Sequence, residues 1–109
     1  MIKSVIISAV PVAAMLLTLS QGAAQAADGA ELYKTRTCFT CHGQDGNTPI
    51  MPGYPKIAGQ DKAYTLQQMK DIKSGARSNG QSAAMKGVMH LVNDEEMAAL
   101  AEYISTMAP

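Results

Sequence analysis

The chain has 109 residues, with nine basic and nine acidic side chains and a formal net charge of zero. A chain of this length forms one domain, and it lacks the basic stripe that is typical of nucleic-acid-binding proteins. With one phenylalanine, no tryptophan and two cysteines, so small a domain is marginally stable alone, and a bound apolar group would supply the missing core.

The first 26 residues have the composition of a cleaved secretory signal peptide. Lys3 supplies a positive charge, residues 5–19 are almost wholly apolar, and residues 24–26 read Ala-Gln-Ala, which is a small-x-small cleavage site. The apolar run is too short to span a membrane comfortably, since about 20 residues are needed. We therefore predict cleavage after residue 26, a periplasmic protein, and one domain over residues 27–109.

The first predicted helix begins just after the predicted cleavage site. Asp28 is a helix-capping residue, and Glu31 three positions later completes the pattern of a capping box. Leu32 and Tyr33 lie on this helix. Gly29 lies four residues before Tyr33 and shares its face, so another helix could approach closely there.

The motif Cys-Phe-Thr-Cys-His follows at residues 38–42. Two thiols three positions apart, Cys38 and Cys41, can each bond a haem vinyl group, and His42 on the same turn can ligate the iron. This is the sequence pattern of covalent haem c attachment, and haem iron requires such an axial ligand. We predict one covalent haem c.

Three other uses of the two cysteines fit less well. A thioredoxin-like redox motif needs a βαβ setting, which is not evident. A zinc site needs a second ligand pair, and His90 is the only histidine left. A structural disulfide is possible in an oxidising compartment, but it leaves His42 without a role.

The rest of the chain is predicted to be helical with long loops. Glycine and proline recur through residues 43–59, which excludes regular structure. The next helix begins at Gln60 or Asp61, runs to about Ser74 and ends at Gly75. A loop follows, and within it residues 83–89 can form a short helical turn.

The last helix has the clearest signals. Asn93 is its predicted cap, and Glu96 completes a capping box. A buried face is indicated by residues at helical spacing, namely Met97, Leu100, Ala101 and Ile104.

The spacing alone leaves the second axial iron ligand open. Met51 lies too close to His42, and Met69 fits core packing better. Met97 and Met107 belong to the last helix. The segment just before that helix offers three remaining candidates: Met85, Met89 and His90.

Several stretches together resemble a known family. Residues 38–43 read CFTCHG with DGN at 45–47, residues 54–60 read YPKIAGQ, and Met85 stands seven residues before VNDE at 92–95. They are similar to small monohaem class I cytochromes c of the bacterial periplasm. The similarity is greatest to one half of the dihaem cytochromes that pass electrons to terminal oxidases, and it covers nearly all of residues 27–109.

This resemblance implies an all-α class I cytochrome c fold, with three to four helices wrapped around one covalent haem. It implies that Met85 is the second axial ligand, with Met89 as the alternative. It also implies that the first and last helices pack together at Gly29, Tyr33 and Tyr103.

The resemblance further implies that a proline carbonyl accepts a hydrogen bond from the imidazole of His42. Pro49, Pro52 and Pro55 are all available, and we favour Pro49. Such a bond fixes the ring tautomer and tunes the iron.

The expected function is electron transfer by a non-enzymatic carrier, because histidine and methionine together fill both axial positions. The alternative is the cytochrome subunit of a periplasmic dehydrogenase complex, for example one acting on a sulfur compound or an alcohol. A haem sensor or peroxidase with an open axial site fits less well. The expected partners are a redox donor and acceptor, with no nucleic acid, and with membrane contact only through a partner enzyme. We expect a monomer or one subunit of a heteromer.

Overall fold

The computed structural model describes residues 27–109. Over that range it contains helices and loops and no strand, as the predicted all-α class requires. The helices are α1 (Gly29–Thr35), α2 (Cys38–His42), α3 (Lys62–Ser74), α4 (Ser82–Met89) and α5 (Asp94–Thr106). There are five rather than three to four, because α2 and α4 are short helices of their own. The predicted signal peptide lies outside the described residues.

Helices α1 and α5 pack at close range, as expected. The Asp28 side chain caps α1 by accepting from the backbone N–H groups of Ala30 and Glu31. A Cβ atom at Gly29 would collide with the carbonyl oxygen of Ala99 and lie 2.6 Å from the Cβ of Tyr103. A side chain at Gly29 would therefore force the two helices apart.

The segment between α2 and α3 is an ordered loop without helix, as predicted. The carbonyl of Gly46 accepts from the N–H groups of Ile57 and Ala58, and Gly59 N–H donates to the carbonyl of Ile104 on α5. Gly46 is buried, with a φ of 68°, and a Cβ there would lie 3.1 Å from that of Ala58. These contacts fold the loop back on itself and attach it to α5.

Helices α3 and α5 supply most of the core. Asp61 caps α3 and Gly75 ends it in the left-handed region with a φ of 89°, as predicted. At α5, Asn93 and Glu96 form the predicted capping box. The buried apolar side chains come from α1, α3, α4, α5 and the segment between α4 and α5, and they include all four predicted α5 positions: Leu32, Tyr33, Met69, Ile72, Met89, Val92, Met97, Leu100, Ala101 and Ile104.

No helix within residues 27–109 is long and apolar enough to cross a membrane.

Candidate haem-binding site

Helix α2 is held in a sharp turn against α1. Only two residues separate the helices, and Thr37 adopts a left-handed conformation with a φ of 63°. The short helix then carries Cys38, Cys41 and His42 within about one turn, and all three line one cavity of about 340 Å³. The structure thus brings together the three residues that the motif predicted.

The Cys38 thiol does not have the environment of a reactive redox cysteine. Cys38 and Cys41 are half-buried and are not joined in a disulfide. Burial raises the pKa of the Cys38 thiol to about 11. Catalytic Cys-x-x-Cys motifs have the opposite property, because their reactive thiol has a lowered pKa. Over residues 27–109, no three His, Cys, Asp or Glu side chains cluster as a metal site would require.

The imidazole of His42 is oriented by the backbone of Pro55. His42 is 7% exposed, and its Nδ1 atom lies 2.9 Å from the carbonyl oxygen of Pro55. A carbonyl oxygen only accepts, so Nδ1 carries the ring proton. The lone pair is therefore on Nε2, where a metal can bind it.

Our preference for Pro49 as the acceptor was wrong. The N–H of Ile50 donates to the carbonyl of Cys41, which holds residues 49–50 against the backbone of α2 and not against the ring. The chain then turns, with Tyr54 N–H bonded to the Met51 carbonyl, before Pro55 reaches the imidazole. Long-range loop geometry of this kind is not encoded in local sequence.

A hydroxyl group that sequence reasoning missed fixes the end of α2. The Tyr33 Oη atom donates to the carbonyl oxygen of Gly43 at 2.6 Å, and Tyr33 is 2% exposed. Its ring packs on Tyr103 with centroids 5.6 Å apart. Burial, aided by the nearby Cys38 thiol, raises the pKa of Tyr33 to about 12. The sequence did contain a signal for this bond: Tyr33 was predicted to lie on α1, and the hydroxyl of a buried tyrosine needs a hydrogen-bond partner.

Three methionines line the cavity, namely Met69 from α3 and Met85 and Met89 from α4. Met69 and Met89 belong to the core, with exposed fractions of 3% and 1%. Met85 is half-buried and packs against the edge of that core. It is the one of the three that retains accessible surface.

The remaining candidate ligands do not line the cavity. His90 follows α4 and is exposed. Met51 is 48% exposed, and Met97 is fully buried among the core residues. The structure therefore does not bring His90 together with His42.

The rest of the cavity wall suits a large, mostly apolar ligand. Side chains from the loop, α3, α4 and α5 form it, including Ile57, Ile72, Val88, Leu100 and Ile104. Two thiols and an imidazole with a free Nε2 lone pair lie in the same wall. These donors and this apolar surface fit a covalently attached haem.

A sequence model of the cytochrome c family matches residues 26–108. This chain belongs to the cytochrome c family. Its cofactor is haem c, bound covalently, and the Cys-x-x-Cys-His motif at residues 38–42 fits that attachment.

Relatives of two lengths match the chain. It is 39% identical to the thiosulfate dehydrogenase electron acceptor of Stutzerimonas stutzeri and 41% identical to cytochrome c4 of Pseudomonas aeruginosa, over 88% and 84% of this chain. It spans only 45% of each of those proteins. It is 35% identical to cytochrome c-553 of Nitratidesulfovibrio vulgaris and spans 87% of that protein and 84% of this chain. The match to the longer relatives is consistent with one half of a dihaem cytochrome.

Proposed function

We propose that this chain is a periplasmic one-electron carrier. One observation carries the proposal: Cys38, Cys41 and His42 from α2 and Met85 from α4 all line the same cavity. Bound haem c supplies a one-electron iron couple there. The helices around it hold the ligands in place, which keeps rearrangement between the two oxidation states small.

Each residue has a separate task in this proposal. Cys38 and Cys41 form the two thioether bonds. His42 ligates the iron through Nε2, because its Nδ1 proton is bonded to Pro55. A hydrogen bond from the ring N–H to a carbonyl orients the imidazole and raises its basicity.

Met85 is the proposed second axial ligand. It retains surface at the cavity, whereas the side chain of Met89 is enclosed by core packing. The position before α5 also matches that of the family's ligand. Methionine ligation raises the reduction potential. With both axial positions filled, no substrate can bind the iron, so we propose a carrier without catalytic activity of its own.

Positive charge beside the cavity would steer partners. Lys56 is exposed and adjoins Pro55, and Lys86 adjoins Met85. Lys62 forms an ion pair with Glu102, so its charge is partly offset. Steering of this kind is screened by salt.

A second candidate function is that of a dedicated electron acceptor within a dehydrogenase complex. One relative, from Stutzerimonas stutzeri, is named as the electron acceptor of thiosulfate dehydrogenase. A carrier and a bound subunit perform the same electron transfer, but they differ in how long they stay with a partner. Transient redox complexes bury less than about 1,200 Å² in total.

The first experiment tests the cofactor and its couple. The protein is purified from a periplasmic extract and treated with acidified acetone, and we expect the haem to stay with the polypeptide. A redox titration should then give a single reversible one-electron step. Haem that leaves in the acetone, or a ferrous protein that binds carbon monoxide at once, would contradict the proposal.

The second experiment tests the charged surface with two small oxidants. Oxidation by anionic ferricyanide should slow as salt rises, and oxidation by cationic cobalt tris-phenanthroline should accelerate. Lys56→Glu should weaken both trends. Lys34→Glu is the matched control, because Lys34 is exposed on α1 and lies outside the cavity wall. Equal effects of the two variants would argue against steering at the cavity.

Gel filtration of the extract separates the two candidates. A free carrier elutes as a monomer. A stoichiometric complex that survives high salt would favour the dehydrogenase subunit.

A further inference from the structure

Asn79 and Gly80 form an Asn-Gly pair in the segment between α3 and α4. Both residues are exposed, and both line the haem-binding cavity. The attachment motif and the candidate iron ligands make no use of this pair. It has a chemistry of its own, because the side-chain amide of an asparagine can react with the backbone nitrogen of the next residue.

The reaction is the loss of ammonia through a cyclic imide. The backbone nitrogen of Gly80 attacks the side-chain amide carbon of Asn79, so a new C–N bond forms. The amide nitrogen takes up the proton that the Gly80 N–H gives up and leaves as ammonia. Water then adds to one of the two imide carbonyls and opens the ring. The product is aspartate or isoaspartate, and water is the only co-reactant.

Gly80 is well suited to act as the nucleophile. It has no side chain, and a Cβ built at this position would meet nothing within 4 Å. Its φ of 55° lies in the left-handed region, which glycine adopts readily. Within residues 27–109 its N–H donates to no other backbone group. No competing backbone bond therefore holds the nitrogen away from the asparagine side chain.

The side-chain amide of Asn79 is activated by a neighbouring cation. The Nε atom of Arg77 donates to Oδ1 of Asn79 at 3.4 Å, and the guanidinium is held in place by a second bond, from Nη1 to Oε1 of Gln68 at 3.1 Å. A cationic donor strengthens such a bond and offsets the negative charge that develops on the amide oxygen as the ring closes. One short segment thus supplies the electrophile, the nucleophile and the stabilising donor.

The other two asparagines of the chain lack this arrangement. Asn47 precedes Thr48, and its Nδ2 atom donates to the carbonyl of Ala108 at 2.8 Å. Asn93 precedes Asp94, and its side chain caps α5. Each of these amides is held by a hydrogen bond, and each is followed by a residue whose Cβ obstructs the attack. They therefore serve as internal controls.

We propose that Asn79 is a site of spontaneous deamidation, and that the product carboxylate lowers the reduction potential of the haem. Arg77 is the only lysine, arginine, aspartate or glutamate in the cavity wall. A carboxylate at position 79 is ionised at neutral pH, since its usual pKa is about 3.9, and it offsets the charge of that guanidinium. Negative charge near the iron favours the ferric state. The modification itself is independent of the proposed function, whereas its effect on the potential rests on it.

The isoaspartate product has a further structural effect. The N–H of Ser82, the first residue of α4, donates to the backbone carbonyl of Asn79. Isoaspartate lengthens the backbone by one methylene group at that point. The start of the helix that carries Met85 would therefore shift in the isoaspartate form and stay in place in the aspartate form.

The first arm of the test measures the modification. Haem-loaded protein is incubated for several days at mildly alkaline pH and then digested with trypsin, which cleaves after lysine and arginine and so places the three asparagines on separate peptides. We expect peptide 78–86 to gain the mass difference between NH₂ and OH and to separate into two products on chromatography. The peptides that contain Asn47 and Asn93 should keep their mass.

The second arm measures the midpoint potential of the same samples and of fresh variants. The potential of wild type should fall in parallel with the mass gain. Asn79→Gln closes a larger ring and Gly80→Ala adds a Cβ, so both should keep their mass and their potential on incubation. Fresh Asn79→Asp should already have a lowered potential. Asn93→Asp is its charge-matched control, because aspartate is an equally good cap and position 93 lies outside the cavity wall, and its potential should stay close to that of wild type.

Two kinds of result would overturn the proposal. One is an unchanged mass of peptide 78–86, or equal gains in all three asparagine peptides. The other is a potential that stays constant while the peptide deamidates, or equal potentials for Asn79→Asp and Asn93→Asp. Aged wild type decides both points even if a variant does not mature. Failure of the proposed function is distinguishable, because it would appear as a protein without covalent haem or without a reversible one-electron step, whatever the mass of the peptide.

Discussion

The Nδ1 atom of His42 and the carbonyl oxygen of Pro55 are 2.9 Å apart, although 13 residues separate them in the chain. The bond is made by a loop that is itself fixed at Gly46 and at Ile104. The environment of the histidine therefore depends on the whole loop and not on the five-residue motif. Any change that loosens the loop should be visible at the iron.

Substitution of Pro55 should weaken the bond to His42. Pro55→Ala frees the backbone at that residue, because proline fixes φ, and the carbonyl becomes less well placed. A weaker bond makes the imidazole a poorer electron donor, so we expect the reduction potential to rise. The measurement is a redox titration.

Pro49→Ala is the matched control for Pro55→Ala. It lies in the same loop but makes no bond to the ring, so its potential should equal that of wild type. Equal shifts in the two variants would mean that the effect is general loosening of the loop.

The two α4 methionines should respond differently to truncation. Oxidised wild type should show the weak near-infrared band of methionine–iron ligation. Met85→Ala should abolish it and lower the potential, because methionine ligation raises the potential. Met89→Ala should keep the band but destabilise the fold by about 2–5 kcal/mol, since it removes a buried side chain. Loss of the band in Met89→Ala alone would reverse our assignment.

The hydroxyl of Tyr33 should contribute stability that depends on pH. Burial raises its pKa to about 12, above the usual 10, so folding favours the neutral form. The contribution is complete below pH 10 and is lost as the pH rises from 10 towards 12. Tyr33→Phe removes the bond to Gly43 and should cost about 1 kcal/mol at neutral pH. Denaturant unfolding at pH 7 to 11 measures both effects.

Tyr103→Phe is the control for Tyr33→Phe, because it keeps the aromatic pair and the Tyr33–Gly43 bond. We expect it to unfold close to wild type at pH 7 and to retain the pH dependence. If both variants lose the same stability, the ring pair and not the hydroxyl bond is responsible.

Local signals in the sequence predicted most of the fold. The caps Asp28, Asp61 and Asn93 mark helix starts because their side chains bond nearby backbone N–H groups, and Gly75 marks a helix end because it adopts a left-handed conformation. The haem-attachment motif is also a local signal, since α2 carries all three of its residues within about one turn. Features of this kind require only the neighbouring residues.

Contacts between distant parts of the chain could not be predicted in the same way. The choice of Pro55 over Pro49 depends on how the loop bonds to α2, and the bond from Tyr33 to Gly43 depends on the angle between α1 and α2. Each of these contacts is fixed by tertiary packing, and the local sequence is compatible with more than one choice of partner.

The contact between α1 and α5 gives the most direct test of the packing. At Gly29 an added Cβ would collide with the Ala99 carbonyl and approach the Tyr103 Cβ to 2.6 Å. Both obstacles belong to the α5 framework and cannot move as a flexible side chain could. Gly29→Ala should therefore separate the helices and lower the free energy of unfolding by about 1–3 kcal/mol, as overpacking does.

Gly87→Ala on α4 is the matched control for Gly29→Ala, because a Cβ there meets nothing within 4 Å. It gains helix propensity of up to about 1 kcal/mol, so its stability should equal or exceed that of wild type. If Gly29→Ala lowers the free energy of unfolding while Gly87→Ala raises it, the loss of stability at Gly29 comes from packing and not from backbone entropy. An unchanged denaturant midpoint in Gly29→Ala would show that the α1–α5 contact is looser than the structure has it.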